Sequence, residues 1–136
     1  MTGYQLLTIA HVGAAIVFVG TVTMATSRFP RVVLAGDREA AAELHRVTVG
    51  YGSSALVVPV LGLALAQQSE RLGDLWVQVS LGLVAGAGVL LAAVVVPDQR
   101  RALAATEPDV TRLRAAGGAL SLLWVAALVL MVAKPW

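Results

Sequence analysis

The sequence has no cysteine and no asparagine, it has a single lysine, and only 5% of its residues are aromatic. Without cysteine, a disulfide framework, a thiolate metal site and a cysteine nucleophile are all excluded. Charged residues are scarce as well, at 13% of the chain, about half the fraction of ordinary soluble domains. The formal net charge of +2 is too small to indicate nucleic-acid binding. This composition therefore does not match an ordinary soluble domain.

Long apolar runs are what the chain does contain. Apolar residues make up 58% of it, and the mean hydropathy is +0.81. Each run is about 20 residues long, the length at which a helix rising about 1.5 Å per residue crosses a hydrocarbon core of roughly 30 Å. The sequence predicts an all-α fold, a single-domain bundle of four transmembrane helices, with spans at about residues 5–26, 47–66, 75–96 and 115–133.

The arginines are distributed unevenly between these spans. The first connection holds Arg28, Arg31, Arg38 and Arg46, the third holds Arg100, Arg101, Arg112 and Arg114, and the second holds only Arg71. Because short cytoplasmic loops carry an excess of Lys and Arg, the first and third connections are predicted to be cytoplasmic. The chain then forms two helical hairpins with both termini extracytoplasmic. The excess of arginine over lysine indicates a GC-rich genome such as an actinobacterial one, and hence a multi-pass protein of a bacterial plasma membrane.

Local signals predict that the cytoplasmic connections are partly helical. Asp37 is a suitable N-cap, and Glu43 and Arg46 are spaced to pair on the helix that follows. Residues 106–109 resemble a capping box, with Pro108 in the first turn of the next helix. In the second span, Pro59 is predicted to bend the helix because it removes one backbone hydrogen bond.

Small residues recur at helical spacing in three of the spans. Helices in lipid associate closely at such residues. The candidates for helix packing are Gly13 and Gly20 in the first span, Gly82 and Gly86 in the third, and Gly117 and Gly118 in the fourth. Two interpretations stay open: these glycines pack inside the bundle, or they form an interface with another chain.

His11 is the only clearly ionisable side chain within the spans, and His45 lies at the inner end of the second. The two differ in predicted depth by roughly 25 Å at about 1.5 Å per residue, so one haem iron does not bridge them. On a helical wheel, His11 points almost opposite to Gly13 and Gly20. If those glycines pack inside the bundle, His11 faces outward; if they face a partner, His11 points inward. Either histidine alone can bond to a neighbouring helix or supply one haem ligand.

The spans contain no Asp, Glu, Lys or Arg. Proton-coupled transporters keep such groups in the membrane because their mechanism uses them, so a small transporter is a disfavoured alternative. No phosphate loop, dinucleotide fingerprint, nucleophile elbow or metalloprotease motif is present, and the chain is not predicted to be an enzyme.

The first half of the chain resembles the CopD-like group of bacterial membrane proteins. The resemblance is carried by residues 6–20, which contain an early His11 and a Gly20 nine positions later, and by the motifs Arg28-Phe29-Pro30-Arg31 and Leu44-His45-Arg46. In that group histidines are associated with haem or copper, so the resemblance implies a haem- or copper-handling protein with His11 or His45 as ligand.

The chain also resembles, in length and span number, the small accessory membrane subunits of the actinobacterial cytochrome bcc–aa3 respiratory supercomplex. This resemblance implies a non-catalytic accessory or assembly subunit whose partners are lipids and other membrane subunits of the oxidase or the bc complex. It is the favoured function, with no cofactor of its own; a haem- or copper-handling protein and a small transporter are the alternatives.

Overall fold

The computed structural model describes residues 2–133, and within that part of the chain it contains four long helices and no β-strand. Named α1 to α4 in chain order, they span Gly3–Leu34, Arg38–Gln68, Leu75–Ala104 and Thr111–Ala133. All four are long and apolar enough to cross a membrane, which confirms the predicted all-α bundle. The first three have 30 to 32 residues and are longer than the roughly 20 that a bilayer requires.

The helices form a ring of two antiparallel hairpins. α1 packs along α2, and α3 packs along α4; contacts of α1 with α4 and of α2 with α3 close the ring. This confirms the predicted hairpins. We call the end with the α1–α2 and α3–α4 connections the arginine-rich end, and the opposite end the arginine-poor end.

A small buried cluster of Ala66, Trp76 and Val77 lies at the arginine-poor end, but the main core extends from the middle of the bundle to the arginine-rich end. Phe29 and Leu120 are completely buried there. The other core members are Val22, Val33, Ala41, Ala87, Leu91, Val95, Ala102, Val110, Leu113 and Ala116. Toward the arginine-poor end the two hairpins share few contacts, and no residue of Gly3–Ala14 is buried. The hairpins therefore diverge and leave a cleft between them.

Three of the helices contain a local irregularity. α1 has a π-helical turn at Ala15–Val19, and α3 has one at Leu91–Val95, directly before Pro97. Proline has no N–H for the carbonyl one turn earlier and its ring crowds that carbonyl, so a wider turn accommodates it within a continuous helix. α2 is interrupted between Ser54 and Val57, one turn before Pro59. The interruption lies where Pro59 removes a backbone hydrogen bond, and the predicted bend itself stays a prediction.

The start of α2 agrees with its sequence signals. The Asp37 side chain accepts a hydrogen bond from the backbone N–H of Ala40 at 3.1 Å, which confirms it as the N-cap. One turn later, Arg46 and Glu43 form an ion pair at 2.6 Å, as their spacing predicted. The helix therefore begins well before its apolar stretch.

The start of α4 differs from the prediction. Residues 106–109 are not helical, and the helix begins at Thr111. Asp109 instead provides the cap, because its carboxylate accepts the backbone N–H of Thr111 at 3.0 Å. That hydrogen bond, with a second from the Thr111 side chain, stabilises the carboxylate and holds the pKa of Asp109 below its ordinary value.

The structure corrects the first interpretation of the candidate packing glycines. At Gly13, Gly20, Gly82, Gly86 and Gly118, an added Cβ meets nothing within 4 Å, and all five lie on exposed surface. They do not pack inside the chain, because larger residues of the same helices face the core. Of the six, only Gly117 is close to another helix: a Cβ added there would stand 3.9 Å from the Thr26 carbonyl oxygen of α1. Contact of the other five with a second chain stays a prediction.

Candidate functional site

His11 points inward, as expected if Gly13 faces away from the bundle, whereas Gly20, beyond the π-helical turn, lies on the wall of the cleft. Its Nδ1 atom lies 2.9 Å from the Val58 carbonyl oxygen of α2. A carbonyl only accepts hydrogen bonds, so Nδ1 carries the proton and donates it. Nε2 is then a free lone pair in the neutral ring, and it has no hydrogen-bond partner among residues 2–133.

A glycine in α2 makes room for this imidazole. A Cβ added at Gly62 would stand 3.1 Å from Cε1 of His11, closer than nearly all real Cβ contacts. Gly62 lies one turn beyond Val58, in the segment that follows the interruption before Pro59. Pro59 therefore sets the direction of this segment, and Gly62 lets the His11 ring approach it.

The His11 ring lies on the wall of the cleft between the hairpins. Two adjoining cavities occupy the cleft, of about 490 Å³ toward the middle of the bundle and about 390 Å³ toward the arginine-poor end. Both are lined by His11, Val84, Leu128 and Met131, and otherwise mostly by apolar side chains. The volume suits a small apolar molecule, since ligand pockets typically measure about 300–1,000 Å³.

Two buried polar atoms in the cleft walls also lack a protein partner. Ser80 is 3% exposed and lines the cavity at the arginine-poor end, and its hydroxyl makes no hydrogen bond. The indole N–H of Trp124, on the wall of the deeper cavity, is likewise unpaired within the described chain. Buried polar groups normally have partners, so unpaired ones around an apolar cavity indicate a ligand-binding site.

A cluster of hydrogen-bonded polar side chains lies near the arginine-rich end, between α2 and α3. His45 Nδ1 is 2.8 Å from Oε1 of Gln99, and Gln99 Nε2 donates to Thr48 Oγ1 at 3.3 Å. The Thr48 hydroxyl in turn donates to the Leu44 carbonyl, so it accepts from Gln99 and fixes the orientation of that amide. His45 Nδ1 therefore carries its proton, and the imidazole has a structural partner.

Next to Gln99, the side chain of Asp98 connects α3 to α4. Its side chain is 9% exposed and contacts Arg101 at 2.5 Å and Arg112 of α4 at 3.0 Å. Arg38 of α2 donates to the carbonyls of Leu103 and Ala105, which would otherwise be unpaired at the end of α3. These contacts hold three helices together at the arginine-rich end.

The chain matches no family model, no curated protein and no solved structure. Its resemblance to the CopD-like group and to supercomplex subunits therefore stays a prediction, and the functional argument rests on the site itself.

The structure keeps the two predicted histidines apart. His11 bonds to Val58, and Val58 lies beyond His45 on α2 by roughly 20 Å at about 1.5 Å per residue. Sequence analysis missed Asp98 and Gln99, since it ended the span before Pro97. In the structure the buried positions Ala87, Leu91, Val95, Gln99 and Ala102 of α3 continue at helical spacing through Pro97, a continuity that the polar Asp98 and Gln99 do not indicate in the sequence.

Proposed function

We propose that the chain is a non-catalytic integral membrane subunit of a larger membrane complex, and that α1 is its main contact with the partner. The observation that carries the proposal is the exposure of α1. Only 6% of its most apolar stretch is buried, and none of Gly3–Ala14 is. Over Gly3–Ala14 its main contacts are with the second half of α2.

Two exposed glycines of α1 support a protein partner for this helix. Glycine within a helix costs about 1 kcal/mol relative to alanine, and here neither Gly13 nor Gly20 makes a contact that offsets it. The π-helical turn at Ala15–Val19 separates them, so they lie on different faces of α1, with Gly13 outside the cleft and Gly20 on its wall; each leaves space for the close approach of a partner helix.

The partner we propose is the actinobacterial cytochrome bcc–aa3 supercomplex. The arginine-rich, lysine-poor composition and the four-helix architecture are in keeping with this choice. A transporter gains no support, because neither cavity of the cleft is lined by a carboxylate.

Purification from the native host in mild detergent, through a tag on this chain, tests the proposal. We expect cytochrome subunits to co-purify with the wild-type chain and to be lost with Gly13→Leu/Gly20→Leu. Gly50→Leu is the matched control, since Gly50 is also exposed with open space at its Cβ. Recovery of the wild-type chain alone, or equal losses in both variants, contradicts the proposal.

The geometry of His11 favours a second candidate, a haem-binding subunit. Donation of Nδ1–H to a backbone carbonyl orients the ring and raises the basicity of Nε2, the usual arrangement of a haem-ligating histidine. Met131 lines both cavities and offers a thioether as a second ligand. When bound, a haem would supply one-electron chemistry, while the chain orients it and excludes water.

Absorbance of the purified protein distinguishes this candidate. A Soret band is expected in protein from haem-replete cells; it should vanish in His11→Ala and persist in His45→Ala, because His45 is bonded to Gln99. A colourless wild-type preparation would contradict haem binding but would not bear on the subunit proposal.

A further inference from the structure

A second groove lies at the arginine-rich end, on the outside of the bundle between α1 and α4. Its volume is about 340 Å³, and unlike the cleft it is partly polar. It is bounded by Ser27 and Arg31 on α1 and by Arg114, Gly118 and Ser121 on α4. α1 and α4 converge at its floor, where Gly117 lies close to the Thr26 carbonyl.

The two arginines in this groove have no acidic partner among residues 2–133. Five other arginines are engaged by carboxylates or backbone carbonyls: Arg38, Arg46, Arg71, Arg101 and Arg112. Arg31 and Arg114 form no such contact. Two unpaired guanidinium groups on one groove form a strong site for a phosphate.

The two serines of the groove differ from most other hydroxyls of the helices. Most Ser and Thr side chains in these helices donate to a carbonyl of the preceding turn, as Thr26, Thr48 and Ser53 do. Ser27 and Ser121 make no hydrogen bond within the described residues. Their hydroxyls are therefore available to a ligand that accepts hydrogen bonds in the groove.

The order of these groups along the groove matches a phospholipid. Arg114 lies about two helical turns, roughly 10 Å, from Ser121, with Arg31 and Ser27 in the same order on α1. We propose that the groove binds one anionic phospholipid, with its phosphate between Arg31 and Arg114, its ester carbonyls at Ser27 and Ser121, and its acyl chains along α1 and α4. This inference is independent of the partner complex and of the cleft.

Native mass spectrometry of the purified chain tests the proposal, with micelles that contain either phosphatidylglycerol or phosphatidylcholine of matched acyl chains. One phosphatidylglycerol should be retained preferentially. A juxtamembrane arginine contributes roughly a fivefold change in affinity, so Arg31→Gln/Arg114→Gln should weaken retention about twenty-five-fold. Arg28→Gln/Arg100→Gln is the control, because these arginines are exposed and lie outside the groove.

Gly118→Leu provides an independent test that leaves the charges in place. Gly118 lines the groove and an added Cβ there meets no other atom within 4 Å, so the fold should tolerate the larger side chain while the lipid is displaced. Helical circular dichroism and a monodisperse elution profile confirm that each variant is folded. Equal retention of the two lipids, or equal losses in the groove and control arginine variants, overturns the assignment.

Discussion

Gln99 is completely buried, and its amide joins His45 to Thr48 across α2 and α3. Gln99→Leu should keep the volume of the side chain but leave Nδ1–H of His45 without an acceptor. The expected loss is about 1–3 kcal/mol of unfolding free energy, the cost of an unsatisfied partly buried donor. Gln78→Leu, at an exposed position of the same helix, should change stability by less than about 0.5 kcal/mol. Thermal unfolding in detergent measures both.

A double variant distinguishes the effect of losing the His45–Gln99 hydrogen bond from the effect of losing side-chain packing. His45→Leu/Gln99→Leu removes both partners, so it should be less destabilised than the sum of its single variants. Additive losses would mean that the amide contributes through packing alone.

Asp98 is nearly buried, whereas the arginines that it contacts are 70% and 64% exposed. Asp98→Asn removes the only charge that links the end of α3 to Arg112 of α4, and we expect it to cost about 1–2 kcal/mol once solvent screening of the arginines is allowed for. Glu43→Gln breaks an ion pair that is exposed on both sides and should cost at most about 0.5 kcal/mol. Equal shifts of the unfolding midpoint in the two variants would count against a bridging role for Asp98.

At the scale of elements, the contact between α1 and the second half of α2 depends on Gly62. Gly62→Leu should push the His11 ring from Val58 and lower stability by about 1–3 kcal/mol, the cost of an unmade buried hydrogen bond. Gly13→Leu, on the opposite face of α1, meets open space and should be neutral or slightly stabilising. Chemical-shift changes of the His11 ring would report the lost bond directly; an unperturbed ring would refute this account.

The elements were predictable where hydropathy defines them and not where the chain departs from a regular helix. Four apolar runs of bilayer length predicted all four helices, and Pro59 marked the interruption of α2. The continuation of α3 through Pro97 depends on the π-helical turn at Leu91–Val95, which no propensity indicates. The sequence also left undecided whether His11 points inward or outward, because the helical-wheel position of one residue does not show which face of α1 packs against the other helices. Its inward orientation follows from the packing of α1 on α2.

At the scale of the whole molecule, one half of the bundle is densely packed and the other half is open. The dense half near the arginine-rich end contains most of the buried apolar side chains, together with the polar bonds of Gln99 and Asp98. The open half contains the cleft with His11. Most of the stabilising contacts and the cleft therefore lie at different ends of the bundle, so a cleft variant that keeps the His11–Val58 hydrogen bond should alter binding with little effect on the unfolding of the chain.

The orientation of the molecule in the membrane is predicted from the arginines at its ends, and it can be tested because the chain has no native cysteine. The connections at residues 35–37 and 105–110 lie at the arginine-rich end, which the excess of basic residues predicts to be cytoplasmic. Ala35→Cys and Glu107→Cys should therefore resist a membrane-impermeant maleimide in intact cells and react after permeabilisation. Gly73→Cys, in the connection at the opposite end, should react in intact cells. The reverse pattern would show that the arginine-rich end faces outward. The lipid groove would then lie on the outer side of the membrane and the cleft toward the cytoplasmic side.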